Sequence, residues 1–139
     1  MKMIMLFGTF DILHPGHINL FEQAKKHADI LTVVVAQDVN VKKNKKHQTI
    51  FNQRERIKML KNIILIDKVI LGNKKDYYQV ILKNKPDIIA LGYDQKDCGP
   101  GLEEFLKKNN LKAKIIRLKA YQPQRLKSHK VRNYIESMI

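Results

Sequence analysis

The chain has 139 residues, of which 44% are hydrophobic and 29% charged, a balance typical of a globular protein. This length predicts one domain with a substantial core, and no stretch approaches the roughly 20 apolar residues that a membrane span needs. The net charge of +14 favours an anionic partner, and the single cysteine, Cys98, cannot form an internal disulfide. With no secretory pattern after Met1, we expect a cytoplasmic protein.

The first predicted element is a buried strand, formed by the short apolar run Met3–Phe7. Gly8, Thr9 and Asp11 then form a tight polar turn. A helix is predicted from Pro15 to Lys26, because proline is well tolerated in a first helical turn and apolar residues follow at helical spacing. The chain therefore begins as strand, glycine turn and helix.

Two histidines, His14 and His17, lie where this helix begins. A helix N-terminus offers unpaired N–H groups and a partial positive charge, so it attracts phosphate. The histidines share one helix face, separated by roughly 4.5 Å of rise, and their imidazoles can donate to neighbouring phosphate oxygens. Gly8 would let a nucleotide approach the backbone. The alternative is a plain strand–turn–helix corner with two surface histidines, and the spacing alone leaves both interpretations open.

A second strand, Ile30–Ala36, is a continuous run rich in β-branched residues that suits a central parallel strand. The polar segment Gln37–Gln48 is predicted to be a mobile loop, with a cluster of four lysines: Lys42, Lys43, Lys45 and Lys46. Such a cluster is either a solvated surface or a group that neutralises charge on a triphosphate.

A helix is predicted from Asn52 to Ile63, with Arg54 and Arg56 in its first turns. The later elements alternate between strand and helix: Val69–Leu71, Tyr77–Lys83, Asp87–Leu91, Leu102–Asn109, Ala113–Leu118 and Ser128–Ser137. Val131, Tyr134, Ile135 and Met138 are predicted to form the apolar stripe of the last helix. This alternation predicts an α/β fold whose parallel sheet carries helices on both faces.

The fourth strand leads into the polar segment Gly92–Gln95. Open α/β sheets place ligands at the carboxyl ends of their strands, so this segment is either part of a binding site or an ordinary strand-to-helix loop.

The segment GTFDILHPGH, residues 8–17, resembles the GTFDxxHxGH signature of the cytidylyltransferase-like nucleotidyltransferases. The resemblance covers essentially the whole chain as one domain, residues 1–139. It implies a Rossmann-like, doubly wound sheet of five parallel strands in the order 3-2-1-4-5, with the site between the first and fourth strands. It also implies transfer of a nucleotidyl group from ATP or CTP to a phosphorylated acceptor, with release of pyrophosphate.

The same resemblance implies roles for individual residues. The catalytic candidates are His14, His17, Lys42, Arg56 and Ser128. The candidates for nucleotide binding are Gly8, Thr9, Phe10, Gly92 and Asp94, together with His14, His17 and Ser128. The candidates for acceptor binding are Asp11, Asp38 and Tyr93, although Asp11 could instead orient the turn. Ser128 departs from the family pattern, which commonly has several hydroxyl residues in a row, and Lys127 beside it is a further phosphate candidate.

For the acceptor, Ala36–Lys43 and Pro86–Gln95 most resemble archaeal FAD synthases, which adenylylate FMN. The alternative is a glycerol-3-phosphate cytidylyltransferase, which typically carries a more acidic segment at Gly92–Asp94. A remote alternative is a basic nucleic-acid-binding module, although we expect no nucleic-acid and no membrane partner. Relatives are often homodimers. We expect Mg²⁺ to bind with the triphosphate and no metal to be held by the protein itself. A zinc site is not expected, because the two histidines, with Asp11 nearby, lack a third convincing ligand.

Overall fold

The computed structural model describes residues 1–44, 49–74, 76, 78–92, 95 and 101–139, and only the backbone of residues 42–44 and 128. The strands are β1 (Met3–Gly8), β2 (Ile30–Val35), β3 (Lys68–Leu71), β4 (Ile88–Leu91) and β5 (Lys114–Arg117). The helices are α1 (Pro15–His27), α2 (Asp38–Asn44), α3 (Gln53–Lys61), α4 (Gln79–Asn84), α5 (Leu102–Lys108) and α6 (Ser128–Ser137).

The five strands form one parallel sheet in the order β3-β2-β1-β4-β5, which confirms the predicted α/β class and strand order. β1 lies at the centre and pairs with β2 on one side and β4 on the other. The order reverses at β1, so the carboxyl ends of β1 and β4 flank the crevice where folds of this type bind ligands.

The side chains of β1 alternate between two cores, because successive strand residues point to opposite faces of a sheet. Ile4 and Leu6 pack with residues of α1 and α3, including Phe21 and Leu60. On the other face, β1 packs with residues of α4 and α5; this second cluster includes Met5, Phe7, Val80, Ile81, Leu102 and Leu106. Helices therefore cover both faces, as the alternation predicted.

One expectation about secondary structure was wrong, and one apolar helical face lies exposed. The segment predicted as a mobile loop contains α2, which begins at Asp38, and residues 45–48 of that prediction lie outside the described residues. The apolar residues at the end of α6 are exposed, since Tyr134, Ile135 and Met138 keep 47–71% of their surface. Periodicity identifies an apolar helical face but not whether another element covers it. Among the described side chains, neither core cluster contains a residue of α6.

Candidate active site

The backbone of the turn after β1 has an unusual conformation, which restricts the residues that can occupy the turn. Phe10 has a φ of 53°, in the left-handed region that costs a residue with a Cβ about 1 kcal/mol or more. Its buried ring offsets this cost by packing against Phe21, with ring centroids 5.8 Å apart. A Cβ at position 8 would lie 2.7 Å from the Phe10 ring, so only glycine fits there. The resulting turn carries the chain from β1 towards α1.

His14 is the N-cap of α1, and Pro15 occupies the first helical position as predicted. The Nδ1 atom of His14 accepts a hydrogen bond from the Gly16 backbone N–H at 3.0 Å. The Nδ1 atom of His17 accepts one from the backbone N–H of His14 at 3.2 Å. Because each Nδ1 atom is an acceptor, the proton of each neutral imidazole lies on Nε2, which becomes a donor.

The two imidazoles lie against each other, with ring centroids 3.9 Å apart and the planes inclined by 34°. Burial, together with the proximity of His14, lowers the pKa of His17 to about 3. Burial also lowers the pKa of His14 from its ordinary value. The pair is therefore neutral at pH 7 and presents two adjacent Nε2–H donors at a helix N-terminus, an arrangement suited to phosphate oxygens.

Gly16 is required because the imidazole of His14 packs against it. A Cβ at this position would lie 2.7 Å from Cε1 of His14 and 2.9 Å from its Nδ1, so the cap and the ring orientation would be lost. The glycine of the signature thus has a steric reason, since the residue two positions after the first histidine must leave room for its imidazole.

Asp11, the acidic residue of the signature, is buried and bound entirely to other parts of the chain. Its Oδ1 accepts the backbone N–H of Phe51 at 2.9 Å. Its Oδ2 accepts the backbone N–H of Ile50 at 2.8 Å and the Nη2 donor of Arg132 at 2.7 Å. Of the two roles predicted for Asp11, these contacts favour orienting the turn. Arg132 was missed in the sequence, because 121 residues separate it from Asp11.

Arg56 is fully buried and makes three hydrogen bonds to protein acceptors. Its Nη1 donates to the carbonyl of Thr9 at 2.8 Å, its Nη2 to the carboxylate of Asp38 at 2.7 Å, and its Nε to the carbonyl of Phe51 at 3.1 Å. Each guanidinium nitrogen has a protein acceptor and the side chain is fully buried, which favours a structural role for Arg56 over the predicted contact with the nucleotide. Arg56 instead holds the turn after β1 against α2 and α3.

Asp38 begins α2 and exchanges hydrogen bonds with Gln53 at the start of α3. The backbone N–H of Asp38 donates to Oε1 of Gln53 at 2.9 Å, and the backbone N–H of Gln53 donates to Oδ2 of Asp38 at 3.1 Å. With Oδ1 bound to Arg56, both carboxylate oxygens have protein partners, although the side chain keeps 39% of its surface exposed.

The segment after β4 contacts the end of β1 through the side chain of Gln95. The side chain of Gln95 donates to the carbonyl of Phe7 at 2.9 Å and accepts from the backbone N–H of Gly92 at 2.8 Å. Arg117, at the end of β5, donates to the carbonyls of Gly92 and Gln95. Gly92 thus lies beside the turn that carries the histidines.

Several predicted site residues lie outside the described part of the structure. These are Tyr93, Asp94 and the side chains of Lys42 and Ser128, together with Cys98. The backbone of Ser128 forms the first residue of α6, as predicted, and Lys127 is its N-cap. The backbone of Lys42 belongs to α2.

An open cavity of about 460 Å³ lies beside His14. It is lined by residues of α1 and the preceding turn and by one residue from the segment after β5: Leu13, His14, Pro15, Ile18, Asn19, Glu22 and Tyr121. Tyr121 was missed in the sequence because it lies in an irregular segment without periodicity. Hydrogen bonds between the side chain of Gln23 in α1 and the backbone of Lys119 help to bring that segment close to α1.

Among the described residues, no three His, Cys, Asp or Glu side chains form a group able to hold a metal ion. Both histidine Nδ1 atoms and both oxygens of Asp11 accept hydrogen bonds from the protein. In the same part of the chain, no helix combines the length and the apolarity needed to cross a bilayer.

The strand order, the turn after β1 and the paired neutral histidines at a helix N-terminus together define an α/β protein built to bind the phosphates of a nucleotide. The family model described as cytidylyltransferase-like matches residues 5–134. The chain therefore belongs to the cytidylyltransferase-like family, and it is a nucleotidyltransferase.

Relatives and solved structures agree with this assignment. The FAD synthase of Ferroglobus placidus is 42% identical over 86% of this chain and 78% of that protein. The FAD synthase of Thermoplasma volcanium is 38% identical over 98% of this chain and 95% of that protein. A crystal structure of a lipopolysaccharide core biosynthesis protein from Thermoplasma volcanium is 37% identical, with a TM-score of 0.82 over 87% of this chain and 98% of that one. Pantothenate synthetase from Thermus thermophilus shares the fold alone, with 11% identity and a TM-score of 0.61 over 96% of this chain and 64% of that one.

Proposed function

We propose that this protein is an FAD synthase, which transfers AMP from ATP to FMN and releases pyrophosphate. The observation that carries the proposal is the pair of neutral Nε2–H donors at the start of α1, in a chain that is about 40% identical to proteins named FAD synthase. In this reaction a phosphate oxygen of FMN attacks the α-phosphorus of ATP, and the bond between that phosphorus and the pyrophosphate oxygen breaks.

No protein nucleophile is needed, because the acceptor phosphate supplies the attacking oxygen. The protein must hold two anions close together and stabilise the charge that spreads over the phosphoryl oxygens. In our proposal His14 and His17 donate to oxygens of the α- and β-phosphates. Lys42 and Ser128 contact the β- and γ-phosphates, while Arg56 contributes by holding Thr9 and α2.

The remaining candidate residues are assigned to the nucleotide or to FMN by their position relative to the two histidines. Gly8, Thr9 and Phe10 border the nucleotide on the side of β1, and Gly92 and Asp94 border it on the side of β4. Asp38 and Tyr93 remain the candidates for contact with FMN, whereas the contacts of Asp11 support a role in orienting the turn.

A divalent cation, Mg²⁺ in our proposal, would arrive on the triphosphate and neutralise part of its charge. A cytoplasmic location and assembly into a homodimer stay predictions.

The test is pyrophosphate release with Mg²⁺, crossing ATP and CTP against FMN and glycerol 3-phosphate. We expect turnover with ATP and FMN, with FAD as the product. His17→Ala should lower kcat by roughly 100-fold or more, because one donor to the developing charge is lost. The matched control is His27→Ala, since His27 is exposed at the opposite end of α1, and it should retain full activity.

Turnover with CTP and glycerol 3-phosphate alone would overturn the choice of substrates and favour the cytidylyltransferase alternative, which the family description also supports. Full activity of the His17→Ala variant would contradict the role given to the histidines.

A further inference from the structure

The buried ion pair between Asp11 and Arg132 joins three parts of the chain that are distant in sequence. Asp11 belongs to the turn after β1, the N–H donors of Ile50 and Phe51 belong to the segment entering α3, and Arg132 lies in the second turn of α6. The carboxylate keeps 6% of its surface exposed and Arg132 keeps 22%. These three donors therefore determine where the Asp11 side chain lies.

We propose that Arg132 is a positioning residue for nucleotidyl transfer, acting through Asp11. This inference rests on the proposed function. Arg132 supplies the cation that balances a buried carboxylate, and the carboxylate in turn fixes the turn that ends at His14. The same ion pair ties α6, which starts at Ser128, to that turn.

The energetic asymmetry of buried ion pairs explains why Arg132 is needed. Removing one partner leaves a buried charge without compensation, and the structure then moves to hydrate it. The neighbouring turn has little tolerance for such movement, because Phe10 is in a left-handed conformation and the Phe10 and His14 rings pack closely against the backbone of Gly8 and Gly16. A displacement of about 1 Å at reacting groups can lower a rate by roughly 100-fold.

A direct contact between Arg132 and substrate is the competing explanation. The Nε atom of Arg132 is buried and has no hydrogen-bond partner among the described residues, so a second donor of the same guanidinium is not committed to Asp11. A positioning role and direct contact differ in their kinetic signature, because lost binding of substrate raises KM whereas lost positioning lowers kcat.

The experiment compares Arg132→Met and Arg132→Lys with the matched control Arg125→Met. Arg125 is exposed, and its guanidinium bonds to the side chain of Gln122. For each variant, kcat and KM for ATP and FMN are measured, and amide hydrogen exchange is followed at Ile50 and Phe51, whose N–H groups donate to Asp11.

We expect Arg132→Met to lower kcat by about 10- to 100-fold with KM values within about threefold of the wild type. Exchange at Ile50 and Phe51 should become at least about tenfold faster, because their acceptor is no longer held in place. Arg132→Lys restores a cation beside Asp11 and should recover most of both effects. Arg125→Met should change neither.

A large rise in KM for ATP at unchanged kcat would overturn the proposal in favour of direct contact. Unchanged exchange at Ile50 and Phe51 in a slow Arg132→Met variant would equally contradict action through Asp11. If the Met variant does not fold, the Lys variant decides, since a large loss of kcat despite wild-type exchange would also overturn the proposal. The exchange measurement needs no substrate, so it remains decisive for the ion pair even if the wild type makes no FAD.

Discussion

At the scale of single residues, the chemistry of the site depends on the protonation of two imidazoles. Backbone N–H groups donate to both Nδ1 atoms, so the proton of each neutral ring lies on Nε2 and the Nδ1 hydrogen bonds require the rings to stay neutral. The depressed pKa of His17, about 3, keeps this ring neutral across the physiological range. The donors are therefore ready before the substrate arrives.

This depressed pKa predicts a loss of stability in mild acid. Below about pH 6.5, His17 is protonated in the unfolded chain but not in the folded protein. Proton binding therefore stabilises the unfolded state relative to the folded state. The contribution of His17 is complete above pH 6.5 and is lost as the pH falls towards 3, at about 1.4 kcal/mol per pH unit. Urea unfolding of the wild type and His17→Asn at pH 7.5 and 5 measures this.

The wild type should lose about 2 kcal/mol relative to His17→Asn between these two conditions. Asparagine is the suitable reference because its side-chain oxygen can accept the backbone N–H of His14 but does not titrate. If the difference in unfolding free energy is the same at both pH values, the pKa of His17 is not depressed.

At the scale of elements, the structure uses two arginines to attach helices to the turn after β1. Arg56 of α3 holds the Thr9 carbonyl and the Asp38 carboxylate of α2, and Arg132 of α6 holds Asp11. The helix that replaces the predicted mobile loop is therefore fixed at its first residue. These ion pairs attach α2 and α6 to the turn that carries the histidines.

This attachment predicts that Arg56 matters for stability far more than its neighbour Arg54. Arg56→Met should lower the unfolding free energy by about 3 kcal/mol, because it removes the buried partner of Asp38 and two donors to backbone carbonyls. Arg54→Met should leave stability unchanged, since Arg54 is exposed on the same helix. Chemical unfolding of both variants tests this, and equal losses would show that the buried contacts of Arg56 contribute little.

At the scale of the whole molecule, the dominant property is the net charge of +14. Such an excess repels itself in the compact state and attracts anionic substrates. Added salt screens charges over a length of about 10 Å at 0.1 M. The thermal midpoint should therefore rise when NaCl is increased from low to near-physiological concentration.

The matched control replaces three exposed lysines by glutamine: Lys112, Lys114 and Lys119. This variant has less repulsion to screen, so its thermal midpoint should respond less to the same salt. Midpoints that fall with salt, or respond equally in both proteins, would show that self-repulsion does not limit stability here.

Much of the fold could be predicted from local patterns. The continuous apolar runs of β2 and β4, the proline at the first position of α1 and the capping residue Asn52 before α3 each express a local preference, and they set the elements within a few residues. The family resemblance supplied the strand order and the importance of His14 and His17. The mobile loop prediction failed because lysine-rich composition does not report the bonds of Asp38 with Gln53 and Arg56.

The sequence by itself determined the α/β class, the positions of the strands and the two histidines at a helix start, because these depend on residues close together in the chain. Only the tertiary structure decided the partners of those residues. It buried Arg56, paired Asp11 with Arg132, placed Tyr121 beside α1 and left the apolar side of α6 exposed. Contacts between residues far apart in the chain leave no periodicity, so they appear only when the sheet has brought the segments together.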